Sequence, residues 1–143
     1  MHHIEEQHIG YLLRQTAHLS HTIYNKKLEK EGISVSQDSV LSLLYRSNGL
    51  TQKELQQALY IQASSLTKLI DTLEKKGLVT RIPHLEDARY KLISLTEVGS
   101  SLKNQLWIVK TEAEKEITKG LSKQEIEVLT QLLTRLKGDL LHY

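Results

Sequence analysis

The stretch Asp87-Ala88-Arg89-Tyr90-Lys91-Leu92-Ile93-Ser94-Leu95-Thr96 decides how this chain reads. It opens with a charged tip, Asp-x-Arg, and continues as an alternating strand in which Tyr90, Leu92 and Leu95 interleave with Lys91 and Ser94. It ends on Thr96, a good helix N-cap. An arginine on a two-stranded projection suits a wing that reaches along DNA. A bare β-hairpin between two helices is the plainer alternative, and the flanking sequence decides between them. Leu92 and Leu95 are expected to tie the strand to the core.

Upstream, residues 78–82 read as the partner strand, with the sole proline, Pro83, where it gives way to the loop. Before it, a helix is expected over residues 63–76, with Leu66, Leu69, Ile70 and Leu73 on one side. That leaves Ser64, Ser65, Thr67 and Lys68 facing outward. Gln62-Ala63-Ser64-Ser65-Leu66-Thr67-Lys68 begins this helix with small, uncharged residues. Such a start leaves backbone N–H groups open to phosphate and lets the helix end approach base edges in a major groove. A short helix over residues 52–59 precedes it, opened by the capping box Thr51-x-x-Glu54. Two further boxes, Ser34-x-x-Gln37 and Ser122-x-x-Glu125, open helices over residues 36–46 and 123–141. A first helix is expected over residues 4–31 and one long helix after Thr96, with Leu102, Leu106, Val109, Ala113 and Ile117 at helical spacing. Gly32, Gly49, Gly77 and Gly120 each follow a helical pattern and suit left-handed helix ends.

The fold class is therefore mainly α with a small β-hairpin wing. A winged helix-turn-helix over residues 34–96 lies between N- and C-terminal helices over residues 1–31 and 97–143. These outer helices carry more apolar surface than so small a core can cover, notably Leu129, Leu132, Leu133, Leu136, Leu140 and Leu141. An apolar surface of that size marks a subunit interface, so a homodimer is expected.

Composition narrows the function classes. The chain has 143 residues and a formal net charge of +2, so basic charge has to be local to matter. There is no cysteine, which excludes disulfides, thiolate zinc sites and thiol redox sensing. No apolar run suits a membrane span, and the N-terminus lacks a signal-peptide pattern, so a cytoplasmic location is the expectation. No glycine-rich phosphate loop, Gly-x-Ser-x-Gly or His-Glu-x-x-His is present, and the adjacent Glu5-Glu6 do not face each other on a helix. No catalytic residue, enzyme activity or cofactor is expected.

The segment Leu73-Glu74-Lys75-Lys76-Gly77-Leu78-Val79-x-Arg81, followed by Asp87-x-Arg89 and Leu95-Thr96-x-x-Gly99, resembles the MarR family of bacterial transcription factors. The resemblance covers essentially the whole chain. It implies a homodimer whose terminal helices interdigitate, and repression relieved by a small ligand or chemical signal. It implies that Gln62, Ala63, Ser64, Ser65, Thr67 and Lys68 lie in the major groove and that Arg89 enters the minor groove of double-stranded DNA. The residues themselves add Thr51 and Gln52 as phosphate contacts, and Arg81, His84 and Lys91 as the cations of the wing. Asp87 is expected to hold an arginine side chain rather than to touch DNA. Two positions depart from the family pattern. Ala88 stands where many members have a second arginine, and Tyr60 stands where the turn before the recognition helix often has glycine.

Two rival readings are carried forward. A zinc-responsive regulator is suggested by His18 and His21 at i, i+3 and by His2, His3 and His8 near the terminus. Residues 102–119 contain no histidine to complete such a site, so no metal is expected. A winged helix that binds protein is the other rival, but it needs neither Arg89 at the wing tip nor hydroxyl residues at the recognition-helix start. His18, His21, Tyr24, Tyr45 and Trp107 are candidates to line an effector pocket, with core or surface roles equally open to them.

Overall fold

Ser34, Thr51 and Ser122 open helices because each hydroxyl accepts a hydrogen bond from a backbone N–H that the first turn leaves unpaired. Their capping boxes are complete. Gln37, Glu54 and Glu125 accept from the N-cap N–H at 3.2, 3.4 and 2.8 Å. Thr96 caps in the same way, accepting from the Gly99 N–H at 3.0 Å.

The computed structural model describes residues 6–143. Among them the elements are α1 (Ile9–Leu28), a 3-10 turn (Glu29–Glu31), α2 (Val35–Arg46), β1 (Leu50–Thr51), α3 (Gln52–Leu59), α4 (Ala63–Lys75), β2 (Val79–Pro83), β3 (Lys91–Leu95), α5 (Glu97–Ser101), α6 (Lys103–Thr118) and α7 (Lys123–Leu140). The expected start of the first helix, at Ile4, lies outside the described residues.

Gly77 shows how α4 stops. It turns left-handed at φ 75°. Its N–H reaches the Glu74 carbonyl at 2.9 Å, and the Leu78 N–H reaches the Leu73 carbonyl at 3.0 Å, a Schellman ending. Gly32 and Gly49 are also left-handed, but Gly120 is not. The α6–α7 corner is instead a right-handed turn through Lys119, with the Leu121 N–H on the Thr118 carbonyl at 3.0 Å.

The expected hairpin wing is present as β2 and β3, and an unexpected third strand joins it: β1 pairs antiparallel with β3 and gives a sheet of order β1-β3-β2. β3 is thus the central strand, and its Ile93, opposite both Leu50 and Arg81, is the fully buried residue. Leu92 and Leu95 are only half-buried. The single long helix expected after Thr96 is corrected, because it is broken in two. Leu102 closes a tighter turn onto the Gly99 carbonyl at 3.3 Å, separating α5 from α6. The break lies beside a close backbone approach: a Cβ on Gly99 would lie 2.0 Å from the carbonyl oxygen of Leu78, the residue before β2. Backbone packs directly on backbone there, and Tyr45 fixes the junction by donating its hydroxyl to the Gly99 carbonyl at 2.7 Å.

The core joins the winged portion to α1 and α6 through Leu28, Leu41, Leu66, Ile70 and Leu106. Tyr24 in α1 donates to Glu114 in α6 at 2.7 Å, and Lys27 pairs with Glu116 at 3.1 Å. α7 has no buried residue, and Leu129, Leu132, Leu133 and Leu136 stay 39–44% exposed.

Candidate nucleic-acid interface

The start of α4 is open. Its N-cap, Gln62, makes no side-chain cap, so the first-turn N–H groups are not satisfied from within. Leu66, Ile70 and Leu73 are buried and Leu69 is half-buried. This inward stripe leaves Gln62, Ala63, Ser64, Ser65 and Lys68 on the exposed side. Thr67 differs from its expected outward position. It is half-buried, donates to the Ala63 carbonyl at 2.9 Å and accepts from the Gln52 amide at 2.6 Å. Helical periodicity places Thr67 at the edge of the apolar stripe, and its partner on α3 decides which way it turns.

The turn before α4 keeps a left-handed residue even without glycine. Tyr60 has φ 56° and ψ 39° and is 69% exposed. A non-glycine side chain there is uncommon.

The wing tip is ordered by its own hydrogen bonds. The His84 N–H donates to the Tyr90 carbonyl at 3.0 Å, and the Tyr90 N–H donates to the Asp87 carbonyl at 3.1 Å. The imidazole Nδ1 of His84 accepts from the Glu86 N–H at 3.1 Å. Asp87 grips Arg89 in a fork: Nε to Oδ1 at 3.0 Å and Nη2 to Oδ2 at 2.8 Å. The guanidinium holds the Asp87 carboxyl below its usual range, and the carboxylate in turn raises Arg89. The arginine side chain is nevertheless 85% exposed, so its remaining N–H groups face outward.

Between wing and α3 lies a cleft of about 560 Å³ lined by Thr51, Gln52, Lys53, Arg81, His84, Arg89, Tyr90, Lys91 and Ile93. It gathers the expected Thr51, Gln52, Arg81, His84, Arg89 and Lys91, and no carboxylate lines it. Lys53 and Tyr90 are added to the set. Lys53 has a legible signal, since it follows Gln52 in the first turn of α3. Arg81 reaches out of the cleft to α4, where it pairs with Asp71 at 2.7 Å and Glu74 at 2.8 Å.

Two further clefts meet at Trp107 and Lys110. One, of about 460 Å³, adds Tyr24, Thr111 and Glu114. The other, of about 570 Å³, adds Ser42, Tyr45, Arg46 and Lys103. Close by, Asp38 is buried, with Oδ2 3.3 Å from the Lys110 ammonium and Oδ1 without a hydrogen-bond partner. Loss of water pushes its carboxyl above the usual range despite Lys110. Burial also raises the Tyr45 hydroxyl to about 12. His18 and His21 are exposed and line neither cleft. His2 and His3 lie outside the described residues, among which no cluster of three potential metal ligands occurs.

Comparison with known proteins gives the family and the fold neighbours. The MarR family model matches residues 33–91. The organic hydroperoxide resistance transcriptional regulator of Bacillus subtilis is 35% identical over 92% of this chain and 86% of its own length. A mutant MarR from E. coli, solved in complex with operator DNA, superposes with a TM-score of 0.83 at 29% identity, covering 90% of this chain and 92% of that one. The MepR–DNA complex of S. aureus gives a TM-score of 0.80 at 30% identity, covering 92% and 98%. No helix among the described residues is long and apolar enough to cross a membrane.

Proposed function

The chain belongs to the MarR family of DNA-binding transcriptional regulators, and on that footing we propose that it is a homodimeric, ligand-responsive repressor of a pseudo-palindromic operator. One observation carries the DNA geometry. The open first turn of α4 and the carboxylate-free cleft of the wing belong to one winged unit. In this reading Ser64, Ser65 and Lys68, whose side chains make no bond to any other described residue, meet base edges or nearby phosphates, with Gln62 and Ala63 at the close approach. Thr51, Lys53, His84 and Lys91 hold phosphate. Arg89 enters the minor groove, where narrow A·T-rich segments concentrate negative potential.

The dimer is supported by surface area. The chain exposes 10745 Å², against about 7,500 Å² for a compact monomer of its 16.4 kDa. The excess is of the order that a permanent subunit interface covers. Response to a small molecule is supported by the two clefts at Trp107, one between α1 and α6 and the other between α2 and α6. A reactive thiol is not available as the signal, because the sequence has no cysteine.

Binding to promoter DNA next to the protein's own gene tests this reading. Arg89→Ala should weaken specific binding by about 1–3 kcal/mol, the scale of one groove contact, with unchanged dimer mass and thermal unfolding. Wild-type affinity should fall steeply with salt as phosphate contacts release counterions. An Arg89→Ala protein that binds as tightly as wild type across a salt titration would remove the wing from the interface.

A further inference from the structure

We infer that Arg81, together with the Gln52–Thr67 pair, acts on DNA recognition as a positioning device, holding α4 and the wing at a fixed angle without touching the duplex. The inference rests on the DNA reading above.

In the second turn of α4, Thr67 has one hydroxyl proton, and it goes to the Ala63 carbonyl at 2.9 Å. The oxygen then accepts the Gln52 amide from α3 at 2.6 Å. These two expected DNA contacts are thus bonded to each other, and they pin α3 to the base-reading end of α4.

At the other end, Arg81 leaves β2 and divides its guanidinium between two carboxylates. Nη2 meets Asp71 at 2.7 Å and Nη1 meets Glu74 at 2.8 Å. Asp71 and Glu74 stand three apart on α4 and so share a face. Two carboxylates against one cation leave the cluster net negative. Arg81 is also the least exposed member, at 22% for its side chain against 52% for Asp71 and 43% for Glu74. Outside the wing cleft, a phosphate approaching the guanidinium would meet the more exposed carboxylates. A planar fork that satisfies two partners at once is a directional tie, which a lysine would not reproduce.

The tie matters because two readers have to engage one duplex together. α4 carries the major-groove residues, and the β2–β3 hairpin carries Arg89. Arg81 joins the middle of β2 to the body of α4 by ion pairs.

The two roles for Arg81 predict opposite signs for one variant. Asp71→Asn with Glu74→Gln removes the tie and frees the arginine while deleting two negative charges. If Arg81 were a phosphate ligand, this variant would bind the operator more tightly. A positioning role predicts a fall of about ten-fold in the ratio of operator to random-duplex affinity. Arg81→Ala should lower that ratio equally, with the slope of log affinity against log salt unchanged. Loss of a phosphate contact would instead reduce the slope by about 0.9. The exchanged pair Arg81→Glu with Asp71→Arg should recover most of the ratio. Tighter operator binding by the carboxylate variant, or a slope loss in Arg81→Ala, overturns the inference. So does a wild-type ratio in both variants. A wild-type protein with no preference for operator over random duplex overturns the DNA reading and this inference with it.

Discussion

A methyl group on Gly99 would force the recognition domain away from the helices that follow it. Its Cβ would stand 2.0 Å from the Leu78 carbonyl oxygen, which is backbone and has no side-chain freedom to yield. Gly99→Ala should therefore lower stability by about 1–3 kcal/mol, as other overpacked sites do. Denaturant unfolding checks this, and a midpoint equal to wild type would mean that the junction relaxes freely. Asp38 makes a prediction about pH. Burial raises its carboxyl above the unfolded value, so between those two values the folded state holds more protons than the unfolded state. Stability from this group is then greatest at low pH and declines as pH rises through the raised value. Asp38→Asn should remove that decline, seen as a flatter free energy of unfolding as pH rises from the ordinary carboxylate range. An unchanged profile would place the titration elsewhere. At this scale the sequence reveals bonds between near neighbours. The Asp87–Arg89 fork is legible because two positions separate its members. The ties from Gln52 to Thr67 and from Arg81 to Asp71 and Glu74 depend on how elements pack, which periodicity does not contain.

Among elements, helix starts are the most legible, because a cap is a contract among four consecutive residues. The boxes at Ser34, Thr51 and Ser122 all close where the hydroxyl and the Glu or Gln stand three apart. β1 is not legible. Two residues carry no alternation, and their partner β3 lies far along the chain. Missing β1 also hid Ile93, since β3 reads as an outer strand until a neighbour appears on each side. Similarly, the break at Leu102 interrupts an apolar spacing that continues smoothly through it, and it sits beside the contact of Gly99 with the Leu78 backbone. Thr51 shows two elements sharing one residue, as the last position of β1 and the cap of α3. Thr51→Ala should cost about 1 kcal/mol through the lost cap, while Thr51→Ser should stay near wild type. Thermal unfolding of both variants separates this from a general intolerance of change at the site, in which case serine would be as costly as alanine.

For the molecule as a whole, the surface of α7 predicts how it assembles. Leu132 and Leu136 stand on one side of a helix that has no buried residue, and they stay 44% and 39% exposed. Leu132→Lys with Leu136→Lys should shift sedimentation from the mass of two chains to that of one, and weaken operator binding by uncoupling the half-sites. A double variant that still sediments as a pair would move the interface to α1 and α6. The sheet has a consequence of a different kind, concerning what happens when many copies crowd together. A strand edge is a row of bare N–H and carbonyl groups on which a stranger chain can grow. In the order β1-β3-β2, the central strand is enclosed, and β1 and β2 present the edges. One is two residues long, and the other ends in Pro83, which has no N–H to offer. The sheet that carries the wing is thereby a poor seed for fibrils, and many copies can crowd together without their wings knitting together.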